Sequence, residues 1–182
     1  PTGDAIEIAN LASRAMEPPL LSVHFIWATF CIVYGVVARD VPEQPVICWN
    51  LRDRSVRWKS PPFREYPDHA AISPDGRWLL TAEAFRRELR LYDCRDGQVM
   101  YSVPCNHDVS ALAFSIDGKS FVVGGKQGEV SVWQADSGQR LFEIAKLDGS
   151  VEAIYCVDDQ LFASVRSTNS VDGSSGLAWY KF

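Results

Sequence analysis

The sequence predicts an all-β chain assembled from about four copies of one four-stranded antiparallel unit. Three observations predict it. The stretch AISPDGRWLL (71–80) returns as FSIDGKSFVV (114–123), which puts Asp75 and Asp117 in matching S-x-D-G turns. An aromatic closes the third strand of each copy, at Trp49, Tyr92, Trp133 and Trp179. Between these landmarks apolar and polar residues alternate as half-buried strands do, and turn dipeptides separate the runs.

The elements follow in chain order. Residues 1–19 form an N-terminal segment that stays unassigned, because DAIEIANLASRAM (4–16) reads equally as a short helix or, through AIEI, as a strand completing a neighbouring unit. The first unit covers roughly 20–60. It opens with LLSVHFIWATFCIVYGVVA (20–38), 19 residues without a formal charge and about the length of a membrane helix. Its β-branched and aromatic content suits strands, and it divides into two buried strands around Trp27-Ala28 in phase with the later hairpins. VICWNLRDRSVRW then supplies a third strand, a turn and a fourth strand.

The second unit, 61–104, contains the Pro-Asp-Gly hairpin, the strand ending in Tyr92, the turn CRDG and the strand QVMYSV. The third, 105–146, repeats that order with ADSG and QRLFEI. In EVSVWQ, Val130 and Val132 face one way while Ser131 and Trp133 face the other. The fourth, 147–182, repeats two strands in VEAIYCVDDQLFASV and a third in GLAWYKF, with the polar loop STNSVDGSSG inserted between them. Aspartate and glycine in the tight turns serve backbone geometry, so Asp75 and Asp117 read as structural.

A four-stranded unit of this period with an aromatic at the end of its third strand resembles the WD40-repeat family. The strongest likeness lies in HDVSALAFSIDGKSFVVGGKQGEVSVWQADSG (107–138), and the resemblance extends over about 20–182. It implies a β-propeller of four-stranded blades. Most WD40 blades are locked by a hydrogen-bonded set of His, Ser or Thr, Asp and Trp. Here Gln127 stands where the loop Asp belongs, and His107 lies two residues nearer the following Val, so the expectation is divergent blades held mainly by apolar packing. Four blades of this type do not readily close a ring, so the expectation is a piece of a larger propeller, one completed by another chain or by oligomerisation, or a rare small ring.

Composition limits the function classes. The chain has 182 residues, 47% apolar and 23% charged, with a net charge of −5, and this acidic balance argues against general nucleic-acid binding. Five dispersed cysteines without a C-x-x-C pair read as reduced thiols rather than a disulfide framework or a zinc site. With no Asn-x-Ser/Thr sequon, they favour a cytoplasmic or other intracellular setting. No metal set, cofactor motif or catalytic constellation is legible. GGKQGE (124–129) has glycines but lacks the spacing of a phosphate loop.

Two basic stretches are the candidate binding residues. AFRRELR (84–90) carries Phe85, Arg86, Arg87 and Arg90 on the loop before a third strand, and arginine forks suit carboxylates and phosphates. LRDRSVRWKSPPFREYP (51–67) carries Arg54, Arg57 and Trp58, a mixture of cations and aromatics able to stack or dock. The plainer reading leads for both: a solvated hairpin tip and an ordinary edge strand. The function expected is a non-catalytic scaffold presenting loops and grooves to protein partners. Alternatives are a ligand-binding or enzymatic propeller with a site in the central channel, and a propeller tethered to a membrane through residues 20–38.

Overall fold

A computed structural model describes residues 22–26, 30–34, 46–50, 55–60, 67, 69–83, 86–144, 146–157, 160–166 and 175–181. All regular structure among them is β, in four antiparallel sheets whose strands follow chain order. The chain divides into two compact units, one comprising 1–67 with 94–98, the other 68–93 with 99–182.

The first unit holds a four-stranded sheet of β1 (Ser22–Ile26), β2 (Phe30–Tyr34), β3 (Ile47–Asn50) and β4 (Val56–Lys59). The uncharged stretch 20–38 therefore contains a β-hairpin, with Ile26 paired to Phe30 across the break at 27–29. No helix among the described residues is long and apolar enough to cross a membrane. The N-terminal alternatives for 4–16 lie outside the described residues.

The second unit stacks three blades. Blade two is β5 (His69–Ile72), β6 (Trp78–Glu83), β7 (Glu88–Asp93) and β8 (Val99–Pro104). Blade three is β9 (Val109–Phe114), β10 (Ser120–Gly125), β11 (Val130–Gln134) and β12 (Arg140–Ile144). Blade four contains β13 (Ser150–Val157), β14 (Gln160–Arg166) and β15 (Ser175–Lys181). Alternation does the packing: β10 buries apolar residues on both faces, Phe121 and Val123 toward blade two and Val122 toward blade four. Leu80, Ala82, Leu89 and Leu91 of blade two meet Phe114, Phe121, Val123 and Trp133 of blade three in one core cluster. Val122, Val130 and Val132 on the other face of blade three meet Val151, Ile154 and Leu161 of blade four in a second. Phe121 is fully buried, stacked on Trp133 and edge-on to Phe114 with 6.0 Å between ring centroids in both pairs. That burial is worth about 2 kcal/mol or more for Phe121 alone.

The closing aromatics share a geometric cause. Register shifts against the outer strand occur between Cys48 and Trp49, Leu91 and Tyr92, and Val132 and Trp133. The same bulge thus recurs beside the aromatic in three sheets, bending the outer strand at a fixed place. Trp179 takes its expected place in β15, opposite Phe162.

Candidate interaction rim

Antiparallel order sends each blade's first and last hairpins to one rim and its middle hairpin to the other. On the first rim the S-x-D-G turns are near-identical copies. In one, the Ser73 hydroxyl donates to Asp75 Oδ1 at 2.5 Å, Arg77 N–H donates to the same oxygen at 3.0 Å, and Trp78 N–H returns to Ser73 Oγ at 2.9 Å. In the other, Ser115 donates to Asp117 Oδ1 at 2.8 Å, Lys119 N–H does so at 3.0 Å, and Ser120 N–H returns to Ser115 Oγ at 3.0 Å. Gly76 and Gly118 complete the turns at φ 69° and 68°, which glycine adopts without strain. Burial opposes ionisation of Asp75, but the bonds from Ser73 and Arg77 outweigh it and hold the carboxyl below its ordinary range. The Lys119 amide and Ser115 hydroxyl do the same for Asp117.

Between these turns and the hairpin 135–139 lies a cleft of about 490 Å³. Trp78 and Leu141 give it apolar walls, while Asp75, Asp117 and Asp136 set its charge against Arg77 and Lys119. The Arg77 guanidinium sits 4.3 Å above the Trp78 ring and stiffens one wall. Ala135 N–H donates to the Lys119 carbonyl at 2.8 Å, tying the hairpin to the turn. Asp136 is exposed, and it adds to the burial that pushes the Tyr101 phenol up to about 12.

A third repeated feature supports this rim, and it reassigns Trp58. The sequence offered Trp58 as a docking aromatic, whereas its ring is buried against Gly97 and its Nε1–H donates to Cys94 O at 2.8 Å. Tyr101 does the same one unit later: its ring lies against Gly138 and its hydroxyl donates to Ala135 O at 2.8 Å. Each aromatic latches an outer strand to a glycine turn, and an added Cβ at either glycine would come within 2.6 Å of the ring. The signal was present in the spacing of Trp58 to Tyr101 and of Gly97 to Gly138.

The opposite rim carries the arginines. Arg86 and Arg87 are exposed just before β7, but Arg90 lies within β7 rather than on the loop. Its guanidinium reaches buried Glu83 at 3.0 Å, Glu88 at 3.1 Å and Ser102 Oγ at 3.1 Å. Arg86 stands 3.8 Å from Glu83, and Arg87 3.3 Å from Asp108. The three forks are thus engaged by internal carboxylates. Arg57 is exposed on β4; Phe85 and Arg54 lie outside the described residues. In the loop GGKQGE, the Gln127 backbone N–H donates to Glu129 Oε2 at 3.1 Å, so this amide is engaged by a carboxylate of the chain itself.

Polar fittings accompany the apolar packing of the blades. Trp133 Nε1–H donates to buried Ser131 Oγ at 2.8 Å. His107 Nε2 lies 3.7 Å from the Cys105 thiol. Burial lowers the His107 pKa against the opposing charge of Glu129, and burial also pushes the Cys105 thiol up. Both shifts have burial as their largest cause, and burial of Cys105 disfavours its thiolate.

Comparisons with known proteins agree with this architecture. Residues 96–134 match the family described as WD domain, G-beta repeat. The match runs from the turn before β8 through β11, so one sequence repeat joins the outer strand of one blade to three strands of the next. DNA damage-binding protein 2 of Bos taurus is 27% identical over 94 residues, covering 50% of this chain and 22% of the relative. The Mus musculus protein of the same name is 28% identical over 91 residues, 48% of this chain and 19% of its own length. The chain therefore aligns with only about a fifth of those relatives. Among solved structures, Kuenenia stuttgartiensis hydrazine synthase superposes with a TM-score of 0.69 at 16% identity, over 84% of this chain and 43% of that one. The computationally designed Ika4 protein superposes with a TM-score of 0.68 at 14% identity, over 90% of this chain and 92% of its own. At these identities the likeness is one of fold.

Proposed function

We propose that this WD40-like β-propeller is a non-catalytic interaction scaffold and that its hairpin rim takes a protein partner in the cleft beside Trp78 and Asp136. The repeat architecture and the matched relatives support a protein-interaction scaffold in general. The observation that carries the finer reading is the cleft itself. Its walls are two copies of one rigid turn, tied to the neighbouring hairpin by the Ala135 amide. Preorganised walls cost little ordering entropy on association, which is what a docking surface needs. Asp75 and Asp136 beside Trp78 and Leu141 favour a partner presenting a cationic side chain next to an apolar one.

The relatives are named for binding damaged DNA, and that is the competing reading. The acidic balance of the chain and the internal engagement of Arg86, Arg87 and Arg90 weigh against it. Among the described residues Cys48, Cys94, Cys105 and Cys156 form no disulfide, which supports an intracellular setting. A photo-crosslinking residue at Asp136, with another at Gln127 on the opposite rim, tests the assignment. A protein captured from position 136 and lost in Trp78→Ala supports it. Capture from position 127 alone, or salt-sensitive binding of a damaged duplex that Trp78→Ala leaves intact, overturns it.

A further inference from the structure

The rim opposite Trp78 holds a second cleft of about 490 Å³, lined by Lys126, Gln127, Lys146, Leu147, Asp148 and Gly149. Its walls are the middle hairpin of blade three and the link from β12 to β13. One bond fastens the two walls together, Leu147 N–H donating to Gly128 O at 2.9 Å. Lys126 N–H donates to Asp108 O at 2.9 Å and Gly149 N–H to Leu147 O at 3.1 Å, so both backbones are held. Blade two uses the same two segments differently. There Cys105 N–H donates to Arg87 O, and Arg87 reaches across to Asp108 at 3.3 Å, closing the place with an internal ion pair. Blade three leaves it open and sets a lysine on each wall.

Elsewhere in the second unit Arg86, Arg87, Arg90, Lys119, Arg140 and Arg166 each stand beside a carboxylate of the chain. Arg77 lies over Trp78. Lys126 and Lys146 are in no ion pair among the described residues, and both line this one cleft. We propose that the cleft binds the phosphate group of a phosphate monoester, held between the two ammonium groups. Lysine acts as a point charge, which suits a compact dianion approached from two sides. Planar carboxylates are better matched by arginine forks, and those this chain spends internally. Leu147, half-buried in the wall, offers apolar surface to the carbon that carries the phosphate. Asp148 in the same wall repels a second anionic group, which selects one compact dianion over an acidic tract or a nucleic-acid strand. The net charge of −5 works in the same direction.

Amide shifts of the isotope-labelled chain test the site at about pH 7.5, where a phosphate monoester is mostly a dianion. The probes are glycerol phosphate, a Gly-phosphoserine-Gly tripeptide and, as a monoanionic control, acetate at matched ionic strength. Both phosphate esters should move the amides of Lys126, Gln127, Leu147, Asp148 and Gly149 saturably, with a dissociation constant on the order of 1 mM, and acetate should not. Lys126→Gln and Lys146→Gln should each weaken binding about fivefold, with unchanged amide positions in blade two as the sign of an intact fold. Tighter binding of the tripeptide assigns the ligand to a phosphorylated protein residue, and equal or tighter binding of glycerol phosphate assigns it to a free phosphate ester. Shifts that never saturate, that acetate reproduces, or that survive the double variant Lys126→Gln/Lys146→Gln overturn the proposal. None of these residues lines the cleft beside Trp78, so the two sites stand or fall independently.

Discussion

Blades two and three come from the same sequence grammar, and their matching strands differ where that grammar stops. Their turns, bulges and latches coincide. Their polar fittings do not. At the end of β6, blade two places Glu83, which is 5% exposed and held by Arg90. The matching place in β10 is Gly125, where an added Cβ would run into the Glu129 carboxylate and His107. Beside the closing aromatic, blade two has Arg90 and Tyr92, the Tyr92 phenol pushed up to about 12 by burial. Blade three has Ser131 and Trp133. The middle hairpins diverge too. Arg87 holds φ 50° and its carbonyl accepts from Cys105 N–H, while Gly128 at φ 88° accepts from Leu147 N–H. Apolar pattern and turn chemistry are enough to specify a blade, and each blade is then free to tie its ends with different chemistry.

Exchanging the two hairpin residues gives the largest contrast. Gly128→Ala puts a Cβ onto the Leu147 carbonyl oxygen at a left-handed backbone position, so we expect a loss of about 3 kcal/mol or more. Arg87→Gly releases a strained φ and gives up an exposed ion pair with Asp108, so its net effect is within about 0.5 kcal/mol of zero. Urea melts of both variants measure the difference. Equal losses would mean that the two hairpins are not equivalent positions.

The polar fittings come next. Glu83→Ala leaves the Arg90 guanidinium, 20% exposed, facing a buried gap, at an expected cost of about 2–4 kcal/mol. Ser131→Ala leaves the Trp133 N–H without its acceptor and costs about 1–2 kcal/mol. A double-mutant cycle of Glu83 and Arg90 that returns no coupling would remove the ion pair from the account of blade two.

The latches should behave alike in both units. Tyr101→Phe removes the hydroxyl that reaches Ala135 O while keeping the ring over Gly138, so about 1 kcal/mol is lost. Trp58→Phe removes the corresponding indole bond to Cys94 O and part of a buried ring, at a somewhat greater cost. If Tyr101→Phe is silent, the ring contact alone makes the latch.

What was legible in the sequence divides along the same line. The strands, hairpins and S-x-D-G turns were readable because each is local, fixed by alternation over a few residues or by an Asp and Gly at set offsets. The equivalence of Trp49, Tyr92 and Trp133 was readable because a repeat compares like with like. The buried bond of Trp58 was not readable because its partner, the carbonyl of Cys94, is 36 residues away and a backbone atom leaves no mark in composition. Arg90 was placed on a loop because RRELR reads as one basic run, while the strand already begins at Glu88 and turns Arg90 inward to Glu83. Glu129 went unnoticed because no family position called for it, yet it supplies the carboxylate beside His107. The cleft itself was invisible, since it exists only where two turns and a hairpin from two blades converge.

The smallest expected effect is on pH, and it separates the two rims. On the hairpin rim Asp75 and Asp117 have lowered pKa values in the folded chain. Their stabilisation is therefore complete above the ordinary carboxylate value of 3.8 and is lost as pH falls below it. On the other rim the His107 pKa is lowered from 6.5, so the folded state favours neutral imidazole and its contribution is present above pH 6.5 and lost as pH falls through that range. Acidification from pH 8 should thus show two steps in melting temperature, a slight one near and below pH 6.5 and another below pH 4. His107→Gln should abolish the first and leave the second; Asp117→Asn should weaken the second and leave the first. A first step that survives His107→Gln would mean that protonation on that rim occurs elsewhere.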